Sequence, residues 1–383
     1  MVFSNVLLVF MMSLQFGMYG LMIDNSLKAF TGHIQVQAPG YVDDQKMRQT
    51  VPDVAALADS LRPQLPSEHV AARAQTFVLA SSEDRSYGIA LFGVEPEFEP
   101  AVSSIPGLVK EGRFLRNSTA SEIVIGKVLA RNLRIGLGDE LTIMGSGLDG
   151  SFAANVVNVV GIFDSGVPDL DRSIAEIPLG LFQDTFYMEG AGHQVVVTAA
   201  NVDMVPELMT RVTALVPGEA YAVHDWNRLQ PGLKQAIQAD ISSSFAMYTI
   251  LVVLVAFSVL NTQLMSVLER TREFGIVMSL GLKPGLLGRL VILETMLMGL
   301  MGVILGAIAG AIVTYYFTVN GLSLPGMEEM AARFNLPGRM YPQISILSLF
   351  AGPLIVFLFS VLASLYPAIR LRWLHPVKAM RAA

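Results

Sequence analysis

Six charged residues interrupt an otherwise apolar stretch: Glu269, Arg270, Arg272, Glu273, Lys283 and Arg289, within "SVLERTREFGIVMSLGLKPGLLGRL" (266–290). Leu268, Phe274, Ile276, Val277 and Leu280 are the apolar residues among them, and Gly281 followed by Lys283-Pro284-Gly285 breaks the run. On chemistry alone two readings stay open. A short helix, charged at one end and apolar along part of its surface, suits docking into a groove on another protein. Equally, a membrane-surface loop can carry such bases only to set topology.

Elsewhere the chemistry is sparse. There is no cysteine, hence no disulfide, thiolate nucleophile or cysteine metal site. His33, His69, His193, His224 and His375 lack metal-ligand spacing. Asp164, Asp169 and Asp171 in "FDSGVPDLD" lack the regular alternation of oxygen ligands in a calcium loop and read as a solvated turn. No metal site is expected. The motifs G-x-x-x-x-G-K-S/T, H-E-x-x-H and G-x-S-x-G are all missing, so neither a nucleotide cradle nor a hydrolase site is legible.

The elements that carry the charged stretch are hydrophobic. Of 383 residues 52% are hydrophobic and 15% charged, where soluble domains carry about 25% charge. The net charge of −6 divides unevenly. Residues 24–240 hold 27 acids and 16 bases, and the remainder 5 acids and 10 bases. Bases flanking apolar runs read as cytoplasmic loops, not as a nucleic-acid surface.

Four runs are long enough to cross a bilayer: 2–23, 241–265, 290–319 and 344–369. The first lacks the basic start, short apolar centre and cleavage site of a signal peptide and reads as a retained span. In the third, Gly302, Gly306 and Gly310 fall on one face and would let another helix approach closely. Pro353 should kink the fourth. Glu294 lies within about a turn and a half of Arg289, which favours a snorkelling or interface role over proton transport. The loop 266–289 and the tail 370–383, with Arg370, Arg372, Lys378 and Arg381, should face the cytoplasm. The N-terminus then lies inside, with 24–240 and the short loop 320–343 outside.

Within 24–240, "HIQVQA", "YGIALFGV", "SEIVIG", "ELTIMG", "NVVNVVGIF" and "HQVVVTA" read as strands, and "VPDVAALADSLRPQL" and "VDMVPELMTRVTALV" as helices. Pro206 suits the first turn of the second helix, and Pro217-Gly218 ends it. The expected fold class is a membrane α-helical protein of four spans with a large extracytoplasmic α+β domain. Two subdomains are expected there, one from 31–95 with 191–226 and a β-rich insert at 96–190.

The run "ERTREFGIVMSLGLKPGLLGRLVILE" and the ending "YPAIRLRWLHPVKAMR" resemble the FtsX/MacB/LolC-type ABC-transporter permeases. Glu269, Arg270, Glu273, Gly275, Ile276 and Gly281 match the family's first motif, and Pro367, Ala368, Pro376 and Arg381 its closing one. Four spans with the insert after the first also match, so the resemblance covers essentially the whole chain. "VKEGRFL" and "SEIVIGKVLARNLRIGLGDELTI" look closest to the lipoprotein-releasing branch. Members usually begin with a basic amphipathic helix before span one; this sequence opens directly on the span, as a truncated start would.

The resemblance implies a non-catalytic permease of the bacterial inner membrane. Two permeases, identical or paralogous, would sit on a dimer of a separate ATPase, which binds the ATP and magnesium; this chain would need no cofactor. Residues 266–289 would hold a coupling helix, docking through Glu269, Arg270, Arg272, Glu273 and Phe274, with Gly275 and Gly281 shaping it and Arg370 and Arg372 supporting. Nucleotide binding would move the external "porter" and "sabre" subdomains. Acylated substrate would bind between spans one and two of paired permeases, and a periplasmic carrier or adaptor would be a further partner. The alternatives are an efflux permease working with a periplasmic adaptor, an FtsX-like regulator of a cell-wall hydrolase, and a receptor without energy coupling.

Overall fold

The computed structural model describes residues 1–216, 218–323 and 339–371. The described residues form two compact units, one of 1–19, 236–323 and 339–371, the other of 20–216 with 218–235.

The first unit is helical. Helix α1 (Val2–Ser26) runs into a single π turn at Leu27–Thr31. Among the described residues four helices are long and apolar enough to cross a membrane: α1 with its π turn, α9 (Pro231–Glu269), α11 (Pro284–Asn320) and α12 (Ile346–Arg370). Helix α9 begins ten residues before the apolar run at Ile241. Hydropathy marks the segment that meets lipid, whereas the hydrogen-bonded helix continues through the polar turn "PGLKQAIQAD". Pro353 lies inside α12.

The glycine stripe of α11 faces α1. A Cβ on Gly302, Gly306 or Gly310 would lie 3.1 Å from Met1 Cβ, 2.5 Å from Asn5 Cβ and 2.9 Å from Val9 Cβ. Asn5 Nδ2 donates to the Gly302 carbonyl at 2.9 Å, a polar contact that small residues make possible by admitting the backbone.

The second unit is built on one sheet. Its strands are β1 (Ile34–Gln37), β2 (His69–Ser81), β3 (Ser86–Val94), β4 (Val109–Gly112), β5 (Glu122–Gly126), β6 (Glu140–Ser146), β7 (Phe152–Phe163), β8 (Ile174–Pro178), β9 (Gln194–Thr198) and β10 (Ala222–Asp225). The order is β10-β1-β9-β2-β3-β8-β5-β7-β4, with β6 between β2 and β7. Helices α2 (Val54–Leu61) and α7 (Val205–Leu215) lie where "VPDVAALADSL" and "VPELMTRVTAL" place them, Pro206 in the first turn of α7. Strands of the 31–95 segment and of the 96–190 segment share this hydrogen-bonded network, for β3 pairs in parallel with β8. A main core runs from Ile34 and Val54 to Val195 and Leu208, and a second cluster gathers Phe92, Ile105, Val124 and Phe163.

The buried histidines are structural. His193 Nδ1 accepts from the Gln75 amide at 3.0 Å, its Nε2 stands 3.2 Å from the Met47 carbonyl, and its ring stacks on Tyr41. Asp171 is buried and accepts from the Ser165 amide and hydroxyl, while Asp169 pairs with Arg172. The "FDSGVPDLD" stretch is therefore a hydrogen-bonded turn leading into a short helix.

Candidate functional site

The connection between the second and third spans folds as a separate short helix, α10 (Thr271–Ser279). Arg270 (φ −91°, ψ 8°) breaks α9 from it. Gly281 ends it with φ +98°, a left-handed backbone that a side chain would strain. Pro284 then supplies a fixed φ for the first turn of α11. These punctuation residues are why α10 is a separate helix instead of merging with its neighbours.

One face of α10 is sealed. Phe274 and Met278 are buried in a cluster with Val267, Leu287, Val291 and Leu371, and Gly275 is buried beside them. Phe274, expected on the docking face, thus anchors the helix from within. Arg270 reinforces the seat: its guanidinium lies 3.2 Å from Glu294 Oε2, 3.5 Å from Glu273 Oε2 and 5.2 Å from the Phe274 ring centroid. Glu294, whose place in the sequence suggests snorkelling or an interface role, is the partner of Arg270 on α11.

The opposite face is open. Glu269, Arg272, Glu273, Lys283 and Arg289 are exposed. Beside them stand exposed apolar side chains: Ile276 (48% exposed), Leu280 (83%) and Leu282 (40%). Leu280 is thus an exposed apolar residue bordered by the charged side chains of Glu273 and Lys283. Sequence reasoning weighted the charges and under-weighted these apolar residues. The signal was present in their spacing, Ile276 and Leu280 being one helical turn apart.

The structure brings Arg370 to the same place. With Leu371 it borders a small recess lined also by Leu264, Val267, Leu268 and Thr271. Arg372, Pro376 and Arg381 lie outside the described residues. So does most of the loop 320–343. The Gly288 face packs on the end of α12, where an added Cβ would lie 2.9 Å from the Ala368 carbonyl.

In the other unit, the end of α1 is held by one main-chain and three side-chain donors of the domain. A helix leaves its last carbonyls without intrahelical donors. Here the Lys28 carbonyl accepts from Ser104 N (2.8 Å), and the Ala29 carbonyl from Ser103 Oγ (3.1 Å). The Phe30 carbonyl accepts from the Arg73 guanidinium, and the Thr31 carbonyl from Gln35 Nε2 (2.7 Å). Gly32 closes the socket with φ +73°, and any Cβ there would meet Val196 Cγ1 at 2.2 Å.

Arg73 is fully buried and doubly hydrogen-bonded to the equally buried Glu99. Glu176 lies close to the pair, fully buried, and neither of its carboxyl oxygens has a partner among the described residues. Burial first, and the neighbouring Glu99 charge second, push its pKa well above the ordinary carboxyl range. No metal-holding group of histidine and acidic side chains occurs among the described residues.

Comparison with known proteins places this arrangement. The MacB-like periplasmic core domain family matches residues 1–215, and the FtsX-like permease C-terminal family matches 245–376. The chain belongs to the FtsX/MacB/LolC-type ABC-transporter permeases. It is 24% identical over 305 residues to the lipoprotein-releasing system transmembrane protein LolC of Xylella fastidiosa, covering 76% of this chain and 72% of that one. LolE of Haemophilus influenzae is 23% identical over 302 residues, 75% and 71% of the two chains.

Among solved structures, the periplasmic region of MacB from Actinobacillus actinomycetemcomitans superposes with a TM-score of 0.39 at 14% identity, covering 57% of this permease and 97% of that chain. The extracellular domain of the transporter YknZ gives 0.36 at 18%, covering 50% and 99%. The family is one of permeases, which are generally non-catalytic. The permease therefore joins membrane-spanning helices to a periplasmic-type domain.

Proposed function

We propose that this permease transmits ATP-driven movement of a separate ATPase dimer to its external domain, and that the domain thereby releases a lipoprotein-like or other amphiphilic substrate from the membrane. The observation that carries the reading is α10: sealed on one face, and offering Glu269, Arg272, Glu273 and exposed Leu280 on the other. Phe274 and Gly275 seat the helix, and Arg370 with Arg372 support it. Gly302, Gly306 and Gly310 hold α11 close to α1. The relatives named for lipoprotein release direct the choice of substrate class.

In this reading the chain crosses the bacterial inner membrane four times, with α10 inside and the porter and sabre subdomains in the periplasm. It pairs with a second permease copy or paralogue, and the ATP and magnesium are bound by the ATPase. Because the sequence has no cysteine, single cysteines report sidedness without background. A cysteine at 83 should react with an impermeant maleimide on intact spheroplasts, and one at 272 only after permeabilisation.

The decisive experiment is co-purification from the native host. The wild-type chain should bring down an ABC ATPase, and Leu280→Asp with Glu273→Lys should lose it while retaining the wild-type thermal midpoint. Retention of both the ATPase and its stimulated hydrolysis by that double variant would refute the docking role.

A further inference from the structure

Three fully buried side chains that can carry charge, Arg73, Glu99 and Glu176, gather near the end of α1. One cation thus faces two carboxyl groups, and it is bonded to only one of them. Arg73 Nε donates to Glu99 Oε2 at 3.0 Å and Nη2 donates to Glu99 Oε1, while Nη1 donates to the Phe30 carbonyl. The same guanidinium lies 4.4 Å from the centroid of the Phe30 ring. Phe30 is therefore gripped at backbone and ring by one side chain, and it sits within the π turn Leu27–Thr31.

Glu176 stands apart from these bonds. In the register of the sheet it lies between Phe92 on β3 and Val124 on β5, both members of the second apolar cluster. Phe92 meets the Phe30 ring edge-on, with 4.2 Å between centroids. The charges that act on Glu176 are those of Glu99 and Arg73. The elements around β8 bring it no other counter-charge. Strand β3 carries no charged residue, Glu122 on β5 pairs with Arg113, and Lys28 of the π turn pairs with Asp24. In the short helix Pro168–Ser173, Asp171 accepts from Ser165 and Asp169 pairs with Arg172; in Leu179–Thr185 the one charged residue, Asp184, is exposed.

A carboxyl without water or donor keeps its proton where an exposed one has lost it. Once the proton passes to solvent, the new carboxylate has one cation to turn to. Three of the five guanidinium N–H groups of Arg73 are committed, two to Glu99 and one to the neutral Phe30 carbonyl. A bond between two charged groups is about twice as strong as a neutral one, so the Phe30 carbonyl is the weakest claimant. The geometry points to a proton-operated latch on the last turn of α1. With Glu176 protonated, Arg73 holds the Phe30 carbonyl; with Glu176 ionised, Arg73 swings to it and lets that carbonyl go. The latch governs how an apolar helix is joined to the external domain, and it stands independently of the coupling reading above.

The test follows amide exchange at residues 28–32 of the full-length chain in nanodiscs between about pH 6 and pH 9, each rate divided by the intrinsic chemical rate. Protection there should fall at least tenfold in the wild-type chain as pH rises, while the amides of β9 keep theirs. Glu176→Gln preserves the shape and the neutral state and should stay protected throughout. Infrared spectra give a second readout: the carbonyl band of a protonated buried carboxyl should be present at the acid end, vanish with the same midpoint as the protection, and be missing from Glu176→Gln. One exchange profile shared by both chains, protection lost equally across the domain, or no such band at the acid end overturns the latch. Should Glu176→Gln fail to fold, the wild-type chain still decides: coincident midpoints of band and protection support the latch, and separate midpoints overturn it.

Discussion

Arg270 Nη1 stands 3.2 Å from Glu294 Oε2, joining the residue after α9 to a carboxylate inside α11. The two side chains are 39% and 41% exposed, so the pair contributes at most about 1 kcal/mol to stability. Its value is positional, since it fixes how α10 leaves α9. Glu294→Gln should leave the thermal midpoint within a few degrees of wild type yet lower ATPase stimulation several-fold. The exchange Arg270→Glu with Glu294→Arg should recover part of that loss. Equal loss in the exchange variant would show that the pair does not position the helix.

The α1–α11 contact depends on side chains that are absent. Gly306→Leu places a branched side chain where a Cβ alone already meets Asn5 Cβ at 2.5 Å, and overpacking of this kind costs about 1–3 kcal/mol or more. The detergent-solubilised variant should unfold at a lower temperature than wild type. Gly285→Ala is the control: nothing lies within 4 Å of that position, and it sits in the first turn of α11, so stability should rise by about 0.4–1 kcal/mol or stay level.

Arg73 is the least replaceable residue of the α1 socket. Arg73→Met abandons the buried Glu99 carboxylate and the Phe30 carbonyl together, and removing one partner of a buried pair costs about 3–5 kcal/mol. Adding Glu99→Leu should restore most of that stability, though not the grip on Phe30. Hydrogen exchange at residues 28–32 separates the two effects. The double variant should stay fast there even where its overall unfolding midpoint has recovered.

The fold also predicts an acid limb. Burial lowers His193 to about 4 from its ordinary 6.5, the hydrogen bond to Met47 opposing weakly. The folded state thus holds the neutral ring, and the unfolded chain takes up a proton first as pH falls. Stability present above pH 6.5 should be lost progressively toward pH 4, by roughly 3 kcal/mol at about 1.4 kcal/mol per unit. Glu176, raised by burial, acts with the opposite sign: its contribution is complete below 4.5 and fades as pH rises through its folded value. His193→Gln should flatten the denaturant midpoint between pH 4 and 6.5; an unchanged slope would assign the acid limb to other groups.

Much of this architecture was legible before any coordinates. Six strands with β-branched alternation and two amphipathic helices stand where their patterns put them. Strand β2, the longest, is not legible in the sequence because "HVAARAQTFVLAS" neither alternates nor is rich in β-branched residues. Its central Arg73 reads as exposed until Glu99 and the Phe30 carbonyl are seen to enclose it. Strands β4 (VKEG), β8 (IAEIP) and β10 (AVHD) each carry only one or two β-branched residues and at least one charge, so they do not stand out from the turns around them. At the candidate site the charges of 269–273 were visible in sequence, whereas which face they shared was not. Only packing reveals that Phe274 points inward and Leu280 outward.

The most direct measurement follows the external domain while nucleotide is bound. Spin labels at position 83 of two permease copies, in nanodiscs to which separately purified ATPase is added, report their separation with and without non-hydrolysable ATP. The account predicts a nucleotide-dependent change in the wild-type chain that disappears in Leu280→Asp although the ATPase itself still binds nucleotide. A change of the same size in both chains would mean that movement reaches the domain without α10.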